Sequence, residues 1–127
     1  INLLEYYKIK NYKLLGEINN IEFFFNQIDI NLLSSKTESM PNIILEALSF
    51  GIPTVATDVG DVKKIINTTG IVVKRNNSLE FANAIKKLFF EKIKYKKKWI
   101  KRKKSCFNLS RKKYALKNTL KEFNNLI

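Results

Sequence analysis

Two glutamates, Glu38 and Glu46, lie eight positions apart in the segment TESMPNIILEALSFGIPTVATDVGD. Carboxylates are bidentate hydrogen-bond acceptors, so such a pair could hold the vicinal hydroxyls of a ribose or a hexose. Pro41 stands between them, and proline is typical of the first turn of a helix. A helix that begins there would present free N–H groups, which attract phosphate. The residues with those N–H groups are Asn42, Ile43 and Ile44.

Glu46 falls on a polar stripe of this predicted helix, which is otherwise apolar. Asn42, Glu46 and Ser49 follow a spacing of i, i+4 and i+7 and so share one face. Glu46 can therefore face the cleft that the helix N-terminus addresses, with Glu38 in the loop above it. Carboxylates beside a phosphate site predict a sugar nucleotide as ligand. The alternative is that Glu46 lies on the solvent face of a surface helix and Glu38 is an ordinary loop acid.

Apolar runs typical of strands alternate with helical segments along most of the chain. The predicted strands are residues 13–15, 30–33, 54–57 and 71–73. Such alternation indicates βαβ units, so we predict an α/β fold with a Rossmann-like parallel sheet flanked by helices. Ligands of these sheets bind beyond the carboxyl ends of the strands. Residues 16–17, 34–40 and 58–61 occupy those positions.

The helices are predicted from apolar spacing and from capping signals. We expect short helices at residues 21–28 and 61–66, a helix from Pro41 to about Phe50 that stops at Gly51, and a longer one after Asn77. Asn77 followed by Glu80 resembles a capping box. A last helix would place four apolar side chains on one stripe, namely Leu116, Leu120, Phe123 and Ile127.

Composition limits the classes of function. The 127 residues suit a single domain, and a hydrophobic content of 45% fits a globular one. The chain has no His and a single Cys, which excludes zinc clusters and His-based acid–base catalysis within it. The longest apolar runs are too short to span a membrane. The chain begins Ile-Asn-Leu-Leu without Met or a signal peptide, so we interpret it as a piece of a longer protein.

The net charge of +13 is concentrated in one segment. Residues 92–113 hold 12 of the 24 Lys and Arg and no acidic residue, and the remainder is almost neutral. Three interpretations stay open for this segment: a solvated helical face, a contact with an anionic membrane surface, or a nucleic-acid site. The third is the least favoured, because the segment has little aromatic interleaving and no binding motif.

The segment SKTESMPNIILEALSFGIPTVATDVGD resembles the signature of the group 1 (family 4) retaining glycosyltransferases, which have the GT-B fold. The matching positions are Ser35, Glu38, Pro41, Glu46, Ala47, Gly51, Pro53, Val55, Ala56, Thr57 and Gly60. Flanking segments extend the resemblance to about residues 14–88. Ser39 and Asp61 stand where the family pattern has Gly, and Lys63 and Lys64 replace its usual Pro-Glu.

The resemblance implies a role for each matching position. Glu46 would bind the ribose of the donor nucleotide, and Glu38 would act as the catalytic residue near the transferred sugar. The segment between them would hold the sugar hydroxyls and the phosphate through its main chain. The donor-binding residues in that segment would be Ser39, Met40, Pro41, Asn42, Ile43 and Ile44. The residues bordering the nucleobase would be Gly16, Glu17 and Ile18.

The implied reaction transfers a sugar from a nucleotide-diphosphate sugar to a glycan or lipid-linked acceptor with retention, without metal or another cofactor. Residues 1–91 would be part of a GT-B donor-binding domain, and residues 92–127 a basic segment with a C-terminal helix packed back on it. Such a fragment should be inactive alone. We expect it in the cytoplasm, with peripheral contact to the membrane as an option and no nucleic-acid partner. The alternatives are a non-catalytic remnant or binding module of the same fold, or a sugar-nucleotide epimerase.

The resemblance also implies a topology. In the strand order 3-2-1-4-5-6, the four predicted strands would be the third to the sixth. The strands at residues 30–33, 54–57 and 71–73 should then pair as a parallel trio. The strand at residues 13–15 should have no partner beside it, with its apolar side chains exposed.

Overall fold

The computed structural model describes residues 3–66 and 68–114. In that part of the chain the elements are, in order, α1 (Leu3–Tyr6), α2 (Ile21–Phe25), β1 (Asn31–Leu33), α3 (Asn42–Ser49), β2 (Thr54–Thr57), α4 (Val62–Ile66), β3 (Ile71–Val73), α5 (Ser78–Lys94) and α6 (Lys96–Lys113).

The three strands form one parallel sheet in the order β1-β2-β3. Asn31 pairs with Thr54 between the first two strands, and Val55 pairs with Ile71 between the last two. The predicted parallel trio and the α/β fold class are thereby confirmed. All three strands end at the same edge of the sheet, which we call the carboxyl edge.

Helices cover both faces of the sheet, which explains why β2 is buried along its whole length. Val55 and Ala56 are neighbours on that strand and point to opposite faces. Ala56 packs with α3, α4 and α6, in a cluster that includes Ile44 and Cys106. Val55 packs with α5 and the start of α6, in a cluster that includes Leu88 and Trp99. Thus α6 contributes a buried side chain to each core.

The ends of α3 and α5 follow the predicted signals. Gly51 has φ +69° and donates to Leu48 O at 3.0 Å, while Ile52 donates to Ala47 O at 2.9 Å, a Schellman ending of α3. The Asn77 side chain accepts from the Glu80 N–H at 2.9 Å and so caps α5. Both motifs could be predicted from the sequence because each depends on residues only a few positions apart.

Helix α6 crosses the amino ends of the strands, at the edge of the sheet opposite to the carboxyl edge. Its Arg102 donates to the carbonyls of Thr68 and Thr69, just before β3, at 3.3 and 3.2 Å. Its Phe107 ring lies against Gly51, just before β2, so closely that a Cβ at Gly51 would overlap the ring. Arg102 and Phe107 therefore fix the middle of the basic helix at the amino ends of β3 and β2.

The predicted strand at residues 13–15 was wrong, since the structure has no strand there. A segment forms a strand by pairing with a neighbour, and no other strand of the described chain runs beside it. The expected exposure of its side chains is found, because Leu14 is 75% exposed and Leu15 is 47% exposed.

Three element boundaries differ from the predicted ones. Helix α2 ends at Phe25, before residue 28, and Asn26 caps it. Pro41 precedes the first turn of α3 as its N-cap, with an extended backbone of φ −74° and ψ 109°. Helix α5 continues to Lys94, so the change in composition at Lys92 falls inside a helix.

Two further expectations concern the C-terminal helix and membrane-spanning segments. The predicted helix with Leu116, Leu120, Phe123 and Ile127 lies outside the described residues. No helix within residues 3–66 and 68–114 combines the length and the apolar character needed to cross a bilayer.

Candidate functional site

The loops that follow β1 and β2 are joined to each other at the carboxyl edge. The Thr57 hydroxyl donates to Ser35 O at 2.5 Å, and the Asp61 N–H donates to Ser39 O at 3.1 Å. Both bonds connect residues 34–40 to residues 57–61. The two segments that sequence reasoning placed near a ligand are thus brought together.

Gly60 permits this close approach. It has φ +49°, a conformation that favours glycine, and a Cβ on it would overlap the carbonyl oxygens of Glu38 and Ser39. The backbone of the Glu38 loop therefore rests directly on Gly60. This position matches a glycine of the family signature, and the structure gives the steric reason for it.

Glu38 is held by a neighbour in its own loop. The Ser35 hydroxyl donates to Glu38 Oε1 at 2.7 Å, and the Glu38 side chain is half-buried. Because the Ser35 carbonyl is itself bound by Thr57, the carboxylate is oriented through a short chain of hydrogen bonds that begins on β2. A carboxylate held in one orientation is suited to binding a ligand at the carboxyl edge of the sheet.

The N-terminus of α3 opens beside this loop. Pro41 provides no side-chain cap, and in the described part of the chain the N–H groups of Asn42 and Ile43 have no hydrogen-bond partner. The predicted free N–H at Ile44 was wrong, because it donates to Pro41 O at 3.1 Å in a tightened first turn. Two N–H groups and the helix dipole remain to attract an anion.

Glu46 lies one turn further along α3 and is half-buried. Its carboxylate has no hydrogen-bond or ion-pair partner among the residues that the structure describes. Asn42 and Ser49 on the same stripe are exposed, but the Ser49 hydroxyl is taken by Glu46 O at 2.7 Å. Asn42 and Glu46 are therefore the side chains of this stripe that can bind a ligand, because the Ser49 hydroxyl is bound within the helix.

The other expected donor-binding residues divide between surface and core. Ser39 and Met40 are exposed in the loop, and Pro41 is buried beneath it. Ile43 is half-buried, whereas the Ile44 side chain is fully buried in the core. In this segment the surface available to a ligand is therefore that of residues 38–40 and Asn42, with part of Ile43.

Residues 16–18 lie at a groove beside α2. Gly16 has φ +64° with open space around it. Glu17 and Ile18 line an open groove of about 440 Å³ whose apolar wall comes from Phe23, Phe24 and Ile28. Within the described chain, none of residues 38–46 lines this groove. Two of its wall residues, Phe24 and Ile28, pack in the same hydrophobic cluster as Ile43, so the groove adjoins the helix that carries Glu46.

A second groove lies at the carboxyl edge and was missed by sequence reasoning. It has a volume of about 510 Å³, and we call it the carboxyl-edge groove. The residues that line it are Ser34, Ser35, Lys36, Thr57, Arg75, Asn76, Asn77, Ser78, Phe81, Ala82 and Ile85. The signal that could have found it is the rule already applied to β1 and β2, since residues 74–77 follow β3 in the same way.

Comparison with known proteins gives consistent results. The family described as glycosyl transferases, group 1, matches this chain over residues 2–90. An uncharacterized glycosyltransferase of Haemophilus influenzae is 30% identical over 70 residues, which is 53% of this chain and 20% of that protein. The O-antigen biosynthesis glycosyltransferase WbnH of Escherichia coli is 28% identical over 97 residues, which is 76% of this chain and 28% of that protein.

Proposed function

Because this chain belongs to the group 1 glycosyltransferases, we propose that it transfers a sugar from a nucleotide-diphosphate sugar to a glycan or lipid-linked acceptor with retention of configuration. The chain spans less than a third of the curated relatives it matches, at 20% and 28% of their lengths. We therefore propose that it is the donor-binding part of a two-domain enzyme and does not transfer sugar by itself.

The arrangement of Glu38 beside the open end of α3 supports this proposal most directly. The N–H groups of Asn42 and Ile43 would bind the diphosphate, with the helix dipole adding to the attraction. Glu46, half-buried without a partner in the described chain, would accept hydrogen bonds from the ribose hydroxyls. Glu38, oriented by Ser35, would lie at the transferred sugar.

Ser39 and Met40 would contribute the exposed loop surface next to the sugar, above the buried Pro41. Ile44 would contribute by packing, since its N–H is used within the helix and its side chain is in the core. The groove beside Glu17 and Ile18 would border the nucleobase, with Gly16 shaping the turn before it. An apolar wall is suited to the flat face of a base.

In the proposed step, the acceptor hydroxyl attacks the anomeric carbon on the face from which the nucleoside diphosphate leaves. The bond from the anomeric carbon to the phosphate oxygen breaks, and the acceptor proton passes to the departing phosphate. The protein acts mainly by positioning and by stabilising charge. We propose that the step needs no metal, which predicts equal turnover with and without a chelator such as EDTA.

The test is an assay of the intact protein with UDP-, GDP- and dTDP-linked hexoses and a candidate glycan acceptor. Transfer with the donor's anomeric configuration in the product, read by NMR, is the expected result. Conversion of the sugar nucleotide without any acceptor would favour the epimerase. Donor binding without turnover for any acceptor would favour the non-catalytic binding module.

We also propose that α6 contacts anionic lipid headgroups. Lys97, Lys101 and Lys104 are exposed at a spacing that places them on one face, and Ile100 beside them is also exposed. Phe89, Phe90 and Ile93 near the end of α5 add exposed apolar surface. A basic helical surface with apolar side chains is typical of binding at a membrane surface.

The place of α6 in the fold determines how such a contact would orient the domain. Because α6 crosses the amino ends of the strands, a membrane bound to α6 would lie on the side of the domain opposite to the carboxyl edge. The donor would then enter from the aqueous side. The expectation that the chain does not bind nucleic acid remains a prediction, which a mobility-shift assay with duplex and single-stranded DNA would test.

A further inference from the structure

A polar recess lies along α6, at the edge of the sheet opposite to the carboxyl edge. It has two adjoining parts, of about 240 and 250 Å³, which share Thr68 and Ser105 in their walls, and we call it the amino-edge recess. Neither part reaches the roughly 300 Å³ at which pockets for drug-sized ligands begin. The recess therefore suits a small polar group more than a nucleotide.

The fold holds Thr68 against α6. Arg102 donates to the carbonyls of Thr68 and Thr69 at 3.3 and 3.2 Å. Thr69 is buried, and its hydroxyl donates to Ile66 O at 2.5 Å. Thr68 is exposed, and its hydroxyl has no hydrogen-bond partner among the residues that the structure describes. A fixed backbone thus presents an unused hydroxyl to the recess.

The α6 wall of the recess is a polar stripe. Lys101, Ser105 and Asn108 follow a spacing of i, i+4 and i+7 and so share one face. Lys101 and Asn108 are exposed. The Ser105 hydroxyl donates to Lys101 O at 3.0 Å, a bond within the helix that it can exchange for an external acceptor. An ammonium group, a hydroxyl and an amide are thus available as hydrogen-bond donors.

The charge of the recess favours an anion. Among the described residues that line it, Glu91 is the acidic one, and its carboxylate is already bound by Arg102 and Lys98. Lys101 and Lys112 also line the recess, so its net charge is positive. A phosphate group suits this lining, because it combines negative charge with several acceptor oxygens.

The recess borders the surface of α6 that we propose to contact the membrane. Lys101 belongs to both, since it lines the recess and also shares a face with Lys97 and Lys104. A bilayer bound to these lysines would therefore place its headgroups next to the recess. A phosphate that enters the recess can then be part of a lipid.

We propose that the amino-edge recess binds the phosphomonoester headgroup of an anionic lipid such as phosphatidic acid. Lys101 pairs with the phosphate charge, while Thr68, Ser105 and Asn108 donate to its oxygens. A phosphomonoester carries a charge of about −1.5 to −2 at pH 7 and three acceptor oxygens, more than the phosphodiester of other lipids. The assignment rests on the proposed membrane contact of α6 and adds to it a preference for one headgroup class.

The test measures binding of the full chain to phosphatidylcholine vesicles that contain either phosphatidic acid or phosphatidylglycerol, matched in zeta potential. At equal surface potential the basic helix is attracted equally to both, so a preference reports on contacts with the headgroup. We expect about fivefold tighter binding to phosphatidic acid, because charge-assisted hydrogen bonds add to the shared attraction. Equal binding to the two would overturn the headgroup site and leave the general membrane contact in place.

The variant Thr68→Val combined with Ser105→Ala removes both hydroxyls and keeps every charge. It should lose the preference for phosphatidic acid and bind phosphatidylglycerol as the unmodified chain does, which also shows that it is folded. Ser110→Ala removes a hydroxyl of α6 outside the recess lining and should keep the preference. A preference that survives in the double variant would refute the site.

The remaining outcomes separate this inference from the proposed membrane contact. Binding to phosphatidic acid vesicles with none to phosphatidylglycerol would support the recess and refute a general contact through the basic helix. Absence of binding to both would refute the two proposals together. Release of the chain from phosphatidic acid vesicles by an equal concentration of glycerol 3-phosphate would reveal a site for a free phosphomonoester and overturn the lipid assignment.

Discussion

Arg102 binds Glu91 through two parallel hydrogen bonds, from Nε to Oε1 at 2.6 Å and from Nη2 to Oε2 at 3.0 Å. Glu91 is 3% exposed near the end of α5, and Lys98 lies 3.3 Å from its Oε2. Arg102 also binds the carbonyls before β3, so one side chain connects α5, α6 and the sheet. The hydrogen bonds from Arg102 lower the pKa of Glu91 despite the opposing effect of its burial.

Arg102→Ala should lower the free energy of unfolding by about 2–4 kcal/mol, because it leaves a buried carboxylate without its main partner. Lys101→Ala removes a neighbouring charge that is exposed, and it should change stability by less than about 0.5 kcal/mol. Urea unfolding followed by circular dichroism measures both. Equal midpoints for the two variants would show that the pair does not hold α6 in place.

The stability that Glu91 provides should depend on pH in one direction. A carboxyl whose pKa is lowered in the folded state stabilises above its unfolded pKa and loses that effect as pH falls through the folded pKa. The ordinary value is 4.5, so the contribution should be complete at neutral pH and decline below about 4.5. Glu91→Gln should therefore be less stable than the unmodified chain at about pH 7, and the difference should shrink towards about pH 3. A difference that grows on acidification would contradict this assignment.

Glu46→Gln should raise the donor KM or lower turnover of the intact enzyme by about tenfold or more, since a hydrogen bond to a charged group contributes about 1.5–3 kcal/mol. The half-buried carboxylate has no partner in the described chain, so its replacement should leave the fold intact. Steady-state kinetics with variable donor measures the effect. Glu22→Gln is a matched control on the exposed face of α2. Unchanged kinetics for Glu46→Gln would remove this residue from the site.

Gly60→Ala and Gly16→Ala form a matched pair. Both glycines have positive φ, but a methyl group at Gly60 would overlap two backbone carbonyls, whereas at Gly16 it would enter open space. Gly16→Ala should therefore cost about 1–2 kcal/mol from backbone strain alone. Gly60→Ala should cost about 3 kcal/mol or more and displace the Glu38 loop. Thermal unfolding and donor titration test this difference, and equal losses for both variants would contradict it.

Lys97→Gln, Lys101→Gln and Lys104→Gln combined should abolish most binding to anionic vesicles. Each lysine near a charged bilayer contributes about 1 kcal/mol, so the triple variant should bind on the order of a hundredfold more weakly. Vesicle sedimentation with and without phosphatidylserine measures this, and added salt should weaken binding. Lys63→Gln with Lys64→Gln changes exposed lysines of α4 and should have little effect. Equal binding to neutral and anionic vesicles would leave a solvated helical face as the explanation of the basic segment.

Much of the fold could be predicted because its signals are local. Val55 and Ala56 lie in an apolar run that predicts a strand covered on both faces, and Asn77 with Glu80 predicts a helix start. Residues 13–15 show the limit of this approach. Their apolar pattern is that of a strand, but a strand needs a hydrogen-bonded neighbour, and the pattern of one segment does not report whether the neighbour is there.

The candidate site was predictable in its residues more than in its geometry. The spacing of Glu38 and Glu46 predicts a site on this loop and helix. It does not indicate that Ser35 donates to Glu38, or that the Ser35 carbonyl accepts from Thr57 of β2. The occupied N–H of Ile44 follows from a tightening of the first turn that its residue type does not indicate. Lys36 and Arg75 are far apart in sequence and line one groove only because β1 and β3 end at the same edge.

The position of Trp99 and Cys106 on α6 has a consequence for synthesis on the ribosome. Each side chain belongs to a hydrophobic cluster on one face of the sheet, and both lie on the last helix of the described chain to be translated. Burial raises the pKa of the Cys106 thiol to about 11, so the docked cysteine is kept protonated. Until α6 emerges, the nascent sheet lacks part of its cover on both faces, and its apolar side chains are available to chaperones. Completion of the fold is therefore tied to the final stage of translation of residues 3–114.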